Sequence, residues 1–187
     1  MGIIQERVKN PNLVTVTADK VFNWARLSSL YMLTFGIACC AIEMMAAGLS
    51  RYEFDRYGII PRATPRQADL LIIAGPVIKK MAPVIKTLYA QMPEPKYVMS
   101  FGTCAVSGGA FRDSYNVIRG AHKVIPVDIF VPGCHPRPEG FLYGILALQD
   151  LIREQSFIES KKELSVNPII VPANVTEEQI IAKVRGK

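Results

Sequence analysis

Two five-residue apolar runs, Leu70-Leu-Ile-Ile-Ala74 and Tyr97-Val-Met-Ser-Phe101, lie near the middle of this 187-residue chain, with an amphipathic stretch between them. Apolar residues without in-and-out alternation mark strands covered on both faces. Such strands separated by helical stretches build a parallel sheet, because a parallel pair needs a long crossover. A Pro-rich connection at Pro61 and Pro65 is expected before the first run, and a third strand at Val127-Asp-Ile-Phe-Val131. Helices are expected from Val77 to Met92, with Pro83 interrupting it or sitting in its first turn, and from Gly140 to Arg153. In sheets of this kind the loops leaving the carboxyl ends of the strands line one edge, and ligands bind there.

Two of the four cysteines fall in such loops. Cys104 sits in Gly102-Thr-Cys-Ala-Val-Ser-Gly-Gly109 and Cys134 in Pro132-Gly-Cys-His-Pro-Arg-Pro-Glu139. They are 30 positions apart, about one strand-helix-strand unit, so the fold brings them together. The other two, Cys39 and Cys40, are neighbours in sequence. A disulfide between neighbours would have to close across about 3.8 Å between alpha carbons, short of the roughly 4.4 to 6.8 Å such bonds span. Zinc sites usually space their ligands two to four residues apart. Adjacent thiolates pointing different ways suit the corners of a cubane iron-sulfur cluster better, with Cys104 and Cys134 completing four ligands. Taken alone, loop cysteines read as small buried hydrophobes, and a structural zinc without sulfide stays open as a non-redox alternative.

Composition sets outer bounds. Half the residues are hydrophobic, which excludes disorder as the main state and supplies one domain with a real core. Met1-Gly-Ile-Ile-Gln-Glu-Arg7 lacks the apolar core of a secretory leader, so a reducing compartment is expected, where clustered cysteines bind metal or do redox work. The net charge of +6 comes without a dense basic stripe, so no nucleic acid is expected and docking to a partner or a membrane face is. Leu30 to Leu49 is almost wholly apolar and near the ~20 residues a spanning helix needs, but Glu43 within it would cost about 2.5 to 3.5 kcal/mol on insertion. It reads instead as two short helices: the end of one that Asp19 caps and that runs from Val21 to Met32, and a second from Cys40 to Ala47. Residues 1–153 are expected to form one α/β domain, including these N-terminal helices. Residues 154–187 form a C-terminal extension holding Pro168-Ile-Ile-Val-Pro172 and a capping-box opening, Thr176-Glu-Glu-Gln179.

Several blocks in order, Phe35-Gly-Ile-Ala-Cys-Cys-Ala-Ile-Glu-Met-Met45, Pro65-Arg-Gln-Ala-Asp69, Lys80-Met-Ala-Pro83, Gln91-Met-Pro-Glu-Pro-Lys96, Gly102–Gly109 and Ile125-Pro-Val-Asp128, resemble the small iron-sulfur subunit of respiratory complex I, the one carrying its terminal tetranuclear cluster. The resemblance covers about residues 20 to 153. It implies a flavodoxin-like α/β fold with helices on both faces of a parallel sheet, and one 4Fe-4S cluster on Cys39, Cys40, Cys104 and Cys134. It also implies partners: a large quinone-site subunit homologous to hydrogenase large subunits, a ferredoxin-like iron-sulfur subunit as donor, and membrane-arm subunits. The chain would sit peripherally on the cytoplasmic side of the cell membrane, relaying electrons to quinone and so driving ion translocation. Met44 and Met45 are candidates for the wall of the quinone cavity, Glu43 and His135 for the surroundings of the cluster, and Arg62, Arg66 and Asp69 for interface anchors. The extension is expected to contact partner subunits.

Two positions depart from the family pattern. His135 stands where complex I relatives mostly have proline, and Pro76 follows Ala-Gly where other residues are usual. They leave open a relative that takes electrons from ferredoxin and delivers them to sulfur compounds or protons. Hydrogenase cousins typically show Cys-x-x-Cys in place of the adjacent pair, which this chain lacks.

Overall fold

The computed structural model describes residues 11–154 and 168–185. In chain order the main elements are α1 (Pro11–Leu27), β1 (Leu30–Gly36), α2 (Cys40–Ala46), β2 (Ile59–Arg62), β3 (Leu70–Ala74), α3 (Ala82–Gln91), β4 (Tyr97–Phe101), α4 (Thr103–Ser107), β5 (Ile129–Val131), α5 (Pro138–Glu154), β6 (Ile169–Ile170) and α6 (Glu177–Arg185). The six strands form one sheet in the order β2-β1-β3-β4-β5-β6, every pair parallel. The first five follow the flavodoxin order, which reverses direction between β1 and β3.

The apolar runs do what their composition requires. Along β3, Leu70, Ile72 and Ala74 enter one core with Phe101, Phe141 and Ile145, while Leu71 and Ile73 enter a second with Val98, Ile85 and Ile125. One strand thus feeds both faces, and each large aliphatic buried contributes about 1.5 to 3 kcal/mol. Pro83 stands in the first turn of α3, where its missing N–H costs nothing. Among the described residues no helix is long and apolar enough to cross a membrane.

Three expectations need correction. The first helix ends at Leu27 and Asp19 lies inside it; Leu30 to Gly36 is the strand β1, not the end of a helix. Strands on both sides claim that segment, with Leu30 to Leu33 paired to β2 and Met32 to Gly36 paired to β3, and those ladders override local preference. Ile59 to Arg62, taken as a connection because of Pro61, is a strand. It is the sheet edge, the one place a proline is tolerated in a ladder. The third strand begins at Ile129 rather than Val127.

In the tail, β6 extends the sheet beside β5, Val171, Val175 and Ile180 are buried in the first core, and the Thr176 N–H donates to Gln179 Oε1 at 3.4 Å, one half of the capping box. Asp128 ties this region together. Its Oδ2 accepts from the Val98 N–H at 2.7 Å, its N–H donates to the Val98 carbonyl, and its carbonyl accepts from Ile169. The side chain is 3% exposed, so Asp128→Ala leaves a buried N–H without its acceptor. It should lower stability by about 1 to 3 kcal/mol, read as a lower urea midpoint by circular dichroism.

Candidate functional site

All four cysteines lie at the carboxyl edge of the sheet. Cys39 and Cys40 follow β1, Cys104 is the second residue of α4 just after β4, and Cys134 is in the loop after β5. Cys40 and Cys104 are buried, whereas Cys39 and Cys134 are exposed. Cys39 precedes a helix that Cys40 begins, and although successive side chains there turn by about 100°, the two thiols stay close enough to hydrogen-bond each other. The loop carrying them is held by the end of β3, where the Ala74 carbonyl accepts from Ile37 at 2.9 Å and Ala38 at 3.3 Å.

The β4 and β5 loops are fastened to each other. The Thr103 N–H donates to the Gly133 carbonyl at 2.9 Å, and the Gly133 N–H donates back to Thr103 Oγ1 at 3.0 Å. Each bond is one residue before a cysteine, so the pair fixes Cys104 relative to Cys134. The β4 loop also reaches the adjacent pair. Gly102 has φ +95°, and a Cβ there would collide with the Cys40 sulfur. Gly109, at φ +52°, closes on the other buried thiol, where a Cβ would come within 2.9 Å of the Cys104 sulfur. The Ala110 N–H donates to that sulfur.

The thiols feel one another electrostatically. Burial, followed by the negative charges of Cys39, Cys104 and Cys134, pushes the Cys40 thiol up to about 12. Burial, then Cys134 and Cys39, raises Cys104, opposed by the Ala110 N–H. Four thiols from three loops therefore share one neighbourhood. Among the described residues, however, no three His, Cys, Asp or Glu side chains close on a point that a single metal ion could occupy. Soft sulfur donors shared among separate loops, cradled by glycines and a backbone N–H, are a donor set that fits an iron-sulfur cluster.

The remaining sequence candidates divide. Glu43, on α2, and His135, beside Cys134, meet: His135 Nδ1 lies 3.0 Å from Glu43 Oε1 and fastens the β5 loop to α2. Met44 and Met45 part, Met44 being 3% exposed in the core and Met45 67% exposed. Met45 shares a surface stripe with Ile42 and Leu49, at helical spacing from the cysteine pair. Asp69 accepts from the Tyr31 N–H at 3.2 Å between strand starts, Arg62 stacks 4.7 Å from the Tyr31 ring, and Arg66 is exposed.

Thr103, and the bond from the Tyr52 hydroxyl to buried Glu139 Oε1 at 2.9 Å, are contributors that sequence reasoning missed. A threonine after Gly102 looks like any loop residue, and Tyr52 and Glu139 are 87 positions apart. Glu139 opens α5 just behind the Cys134 loop, so this bond holds the segment after α2 against that helix.

In the metal-free chain at pH 8, a thiol titrating near 12 is thiolate in about one molecule in ten thousand, so iodoacetamide should modify Cys40 last, read by peptide mass spectrometry. Thr103→Val keeps the shape but removes the acceptor for Gly133. It should cost about 1 to 3 kcal/mol and lower the iron bound per chain, measured by metal analysis after anaerobic purification.

Known proteins resemble this chain in sequence and in fold. Residues 38–148 match the family model described as NADH ubiquinone oxidoreductase, 20 Kd subunit. The NADH-quinone oxidoreductase B subunit from Citrifermentans bemidjiense is 58% identical over 144 residues, 77% of this chain and 84% of that protein. Its counterpart from Geotalea daltonii is 57% identical over 155 residues, 83% and 89% of the two chains. Among solved structures, a chain of the membrane-bound sulfane sulfur reductase, an archaeal respiratory membrane complex, is 37% identical with a TM-score of 0.69, covering 79% of this chain and 89% of that one.

Proposed function

This chain belongs to the family of the 20 kDa subunit of NADH ubiquinone oxidoreductase, that is, respiratory complex I, and on that premise we propose that it holds one 4Fe-4S cluster and relays electrons to a quinone-type acceptor. It is a subunit of an oxidoreductase complex. The observation that carries the proposal is the convergence of Cys39, Cys40, Cys104 and Cys134 from three loops onto one neighbourhood. When bound, the cluster supplies one-electron redox chemistry that no side chain here offers.

The chain's own residues supply position, dryness and charge. Thr103 and Gly133 set the spacing of Cys104 and Cys134; Gly102 lets the β4 loop lie against Cys40; Glu43 and His135 bind the β5 loop to α2. Buried Cys40 and Cys104 face the protein interior, which excludes water from that side of the cluster. The exposed stripe of Ile42, Met45 and Leu49, beside the adjacent pair, is the face we assign to the large quinone-site subunit, with Met45 in the cavity wall. Met44 supports that wall from within the core. Electrons arrive from a ferredoxin-like subunit, membrane-arm subunits couple the relay to ion translocation, and the chain sits peripherally on the cytoplasmic side. The extension from 154 onward contacts neighbouring subunits beyond the part that joins the sheet.

A second reading concerns the acceptor alone. The likeness to a chain of a sulfane sulfur reductase, and His135 in the third cysteine loop, favour a sulfur compound in place of quinone.

Low-temperature EPR on the anaerobically purified complex, reduced and then mixed with quinone, separates these. A tetranuclear signal that quinone reoxidises, and that Cys104→Ala abolishes, is the expected result. A signal indifferent to quinone but reoxidised by polysulfide would move the acceptor to sulfur. Full iron and acid-labile sulfide in Cys104→Ala would defeat the four-ligand assignment.

A further inference from the structure

Glu139 is buried in the first turn of α5, yet only one of its two carboxyl oxygens is satisfied. Oε1 accepts from the Tyr52 hydroxyl at 2.9 Å, whereas among the described residues Oε2 accepts no hydrogen bond and Arg137 Nε stands 3.6 Å from it. A buried acid met on one side costs stability that a packed apolar side chain would not. What it supplies in return is a fixed place for its one good partner. Tyr52 is gripped from the solvent side too: the Arg51 guanidinium lies 5.4 Å from the centre of its ring and is held by Glu177 of α6 at 2.7 Å. Burial, then the bond to Glu139, raises the Tyr52 hydroxyl, so it stays a donor.

This bond lies between the two parts of the proposed relay. On one side, the Leu49 carbonyl accepts from the Tyr52 N–H at 3.0 Å and the Glu53 N–H at 2.9 Å, and Leu49 ends the exposed stripe of Ile42, Met45 and Leu49. On the other, the Phe54 ring meets Phe141 of α5 edge-on at 6.3 Å, and Phe141 meets Phe101 at 5.4 Å. Phe101 ends β4, directly before the Gly102 that lies against Cys40.

We propose that Tyr52 and Glu139 are a positioning pair for the electron acceptor, holding the Leu49 end of the apolar stripe in place relative to the cysteine loops. The proposal rests on the relay reading and adds residues that act on acceptor uptake without touching cluster or acceptor. The cysteine loops have their own ties, in the Thr103–Gly133 exchange, the contact of Gly102 with Cys40 and the contact of His135 with Glu43. The turn after α2 reaches α5 instead through the Tyr52 hydroxyl, backed by the Phe54 and Phe141 rings. A segment that spends part of its time out of the competent position weakens apparent affinity by the fraction lost and leaves the saturated rate alone. Loss of this bond therefore falls on KM rather than on kcat or on cluster content.

Steady-state reduction of decylubiquinone by the intact complex, with rates expressed per EPR-counted cluster, tests this. Tyr52→Phe removes one hydroxyl and should raise KM by about three- to tenfold, the range one lost hydrogen bond supports, with kcat within about twofold of wild type. Iron per chain and the tetranuclear signal should be unchanged. Glu139→Gln still offers Tyr52 an amide oxygen and should raise KM less, and in the double variant the two fold-changes should not multiply, because both act through one bond. An unchanged KM in Tyr52→Phe, a fall in kcat at constant KM, or fold-changes that multiply would overturn the proposal. Loss of iron or of the tetranuclear signal in both single variants would overturn it as well, by making the bond part of the cluster's own support. A wild-type complex with no tetranuclear signal would overturn the relay reading, and the positioning proposal with it.

Discussion

Thr103 and Gly133 exchange two hydrogen bonds across the carboxyl edge of the sheet, and the arrangement of the cysteines depends on that exchange. The strands on either side are only partly paired: β4 meets β5 through Met99 to Phe101 and Ile129 to Val131, and the loops then leave the ladder. Without a tie beyond the last rung, each loop would carry its cysteine independently, with a separate entropic cost for fixing it. The Gly102 N–H to Val131 carbonyl bond at 2.8 Å continues the ladder by one step, and the Thr103 pair continues it again. The site is therefore an extension of the sheet rather than a decoration on it.

The thiols oppose this arrangement only as thiolates. Raising Cys40 from 9.0 to about 12 makes its deprotonation harder by on the order of 4 kcal/mol, mostly through burial. The linkage has a definite sign: the folded chain binds that proton more tightly than the unfolded one, so neutral Cys40 favours folding, and the advantage is lost as pH rises between about 9 and 12. At neutral pH the metal-free chain accordingly keeps this thiol protonated and inert. Ligation requires the thiolate, so loading the site must release the proton and offset the burial of charge.

How legible all this was in the sequence depended on whether the signal was local. The strands β3 and β4 matched to the residue, because an unbroken apolar run between turn residues has few other uses. β1 was misread for the same reason turned around: Leu30 to Gly36 runs into the apolar α2, and apolarity without periodicity cannot separate a strand from a helix. β2 hid behind Pro61, whose tolerance comes from lying at a sheet edge that only the finished topology defines. At the site, the four cysteines and both Glu43 and His135 could be singled out one by one. The partnership of Glu43 with His135 could not, since it joins α2 to a loop 92 positions later and depends on the sheet order.

That pairing changes what the departure at His135 means. A proline in its place would shape the loop but could not bond to α2, whereas histidine offers Nδ1 to Glu43 at 3.0 Å, with the histidine side chain 51% exposed and the carboxylate 25%. A contact this exposed contributes at most about 1 kcal/mol, too little to hold the fold. Its leverage is positional instead, because it closes a ring already formed by the Thr103–Gly133 exchange and the contact of Gly102 with Cys40. The β1, β4 and β5 loops are then each fastened to a neighbour. Tyr52 and Glu139 add a further tie from behind, between the segment after α2 and the start of α5. Mutually fastened loops restrict motions of four sulfurs that no single bond would, and that restriction, more than the strength of any one contact, is the preorganisation that the proposed rigid inorganic ligand would require.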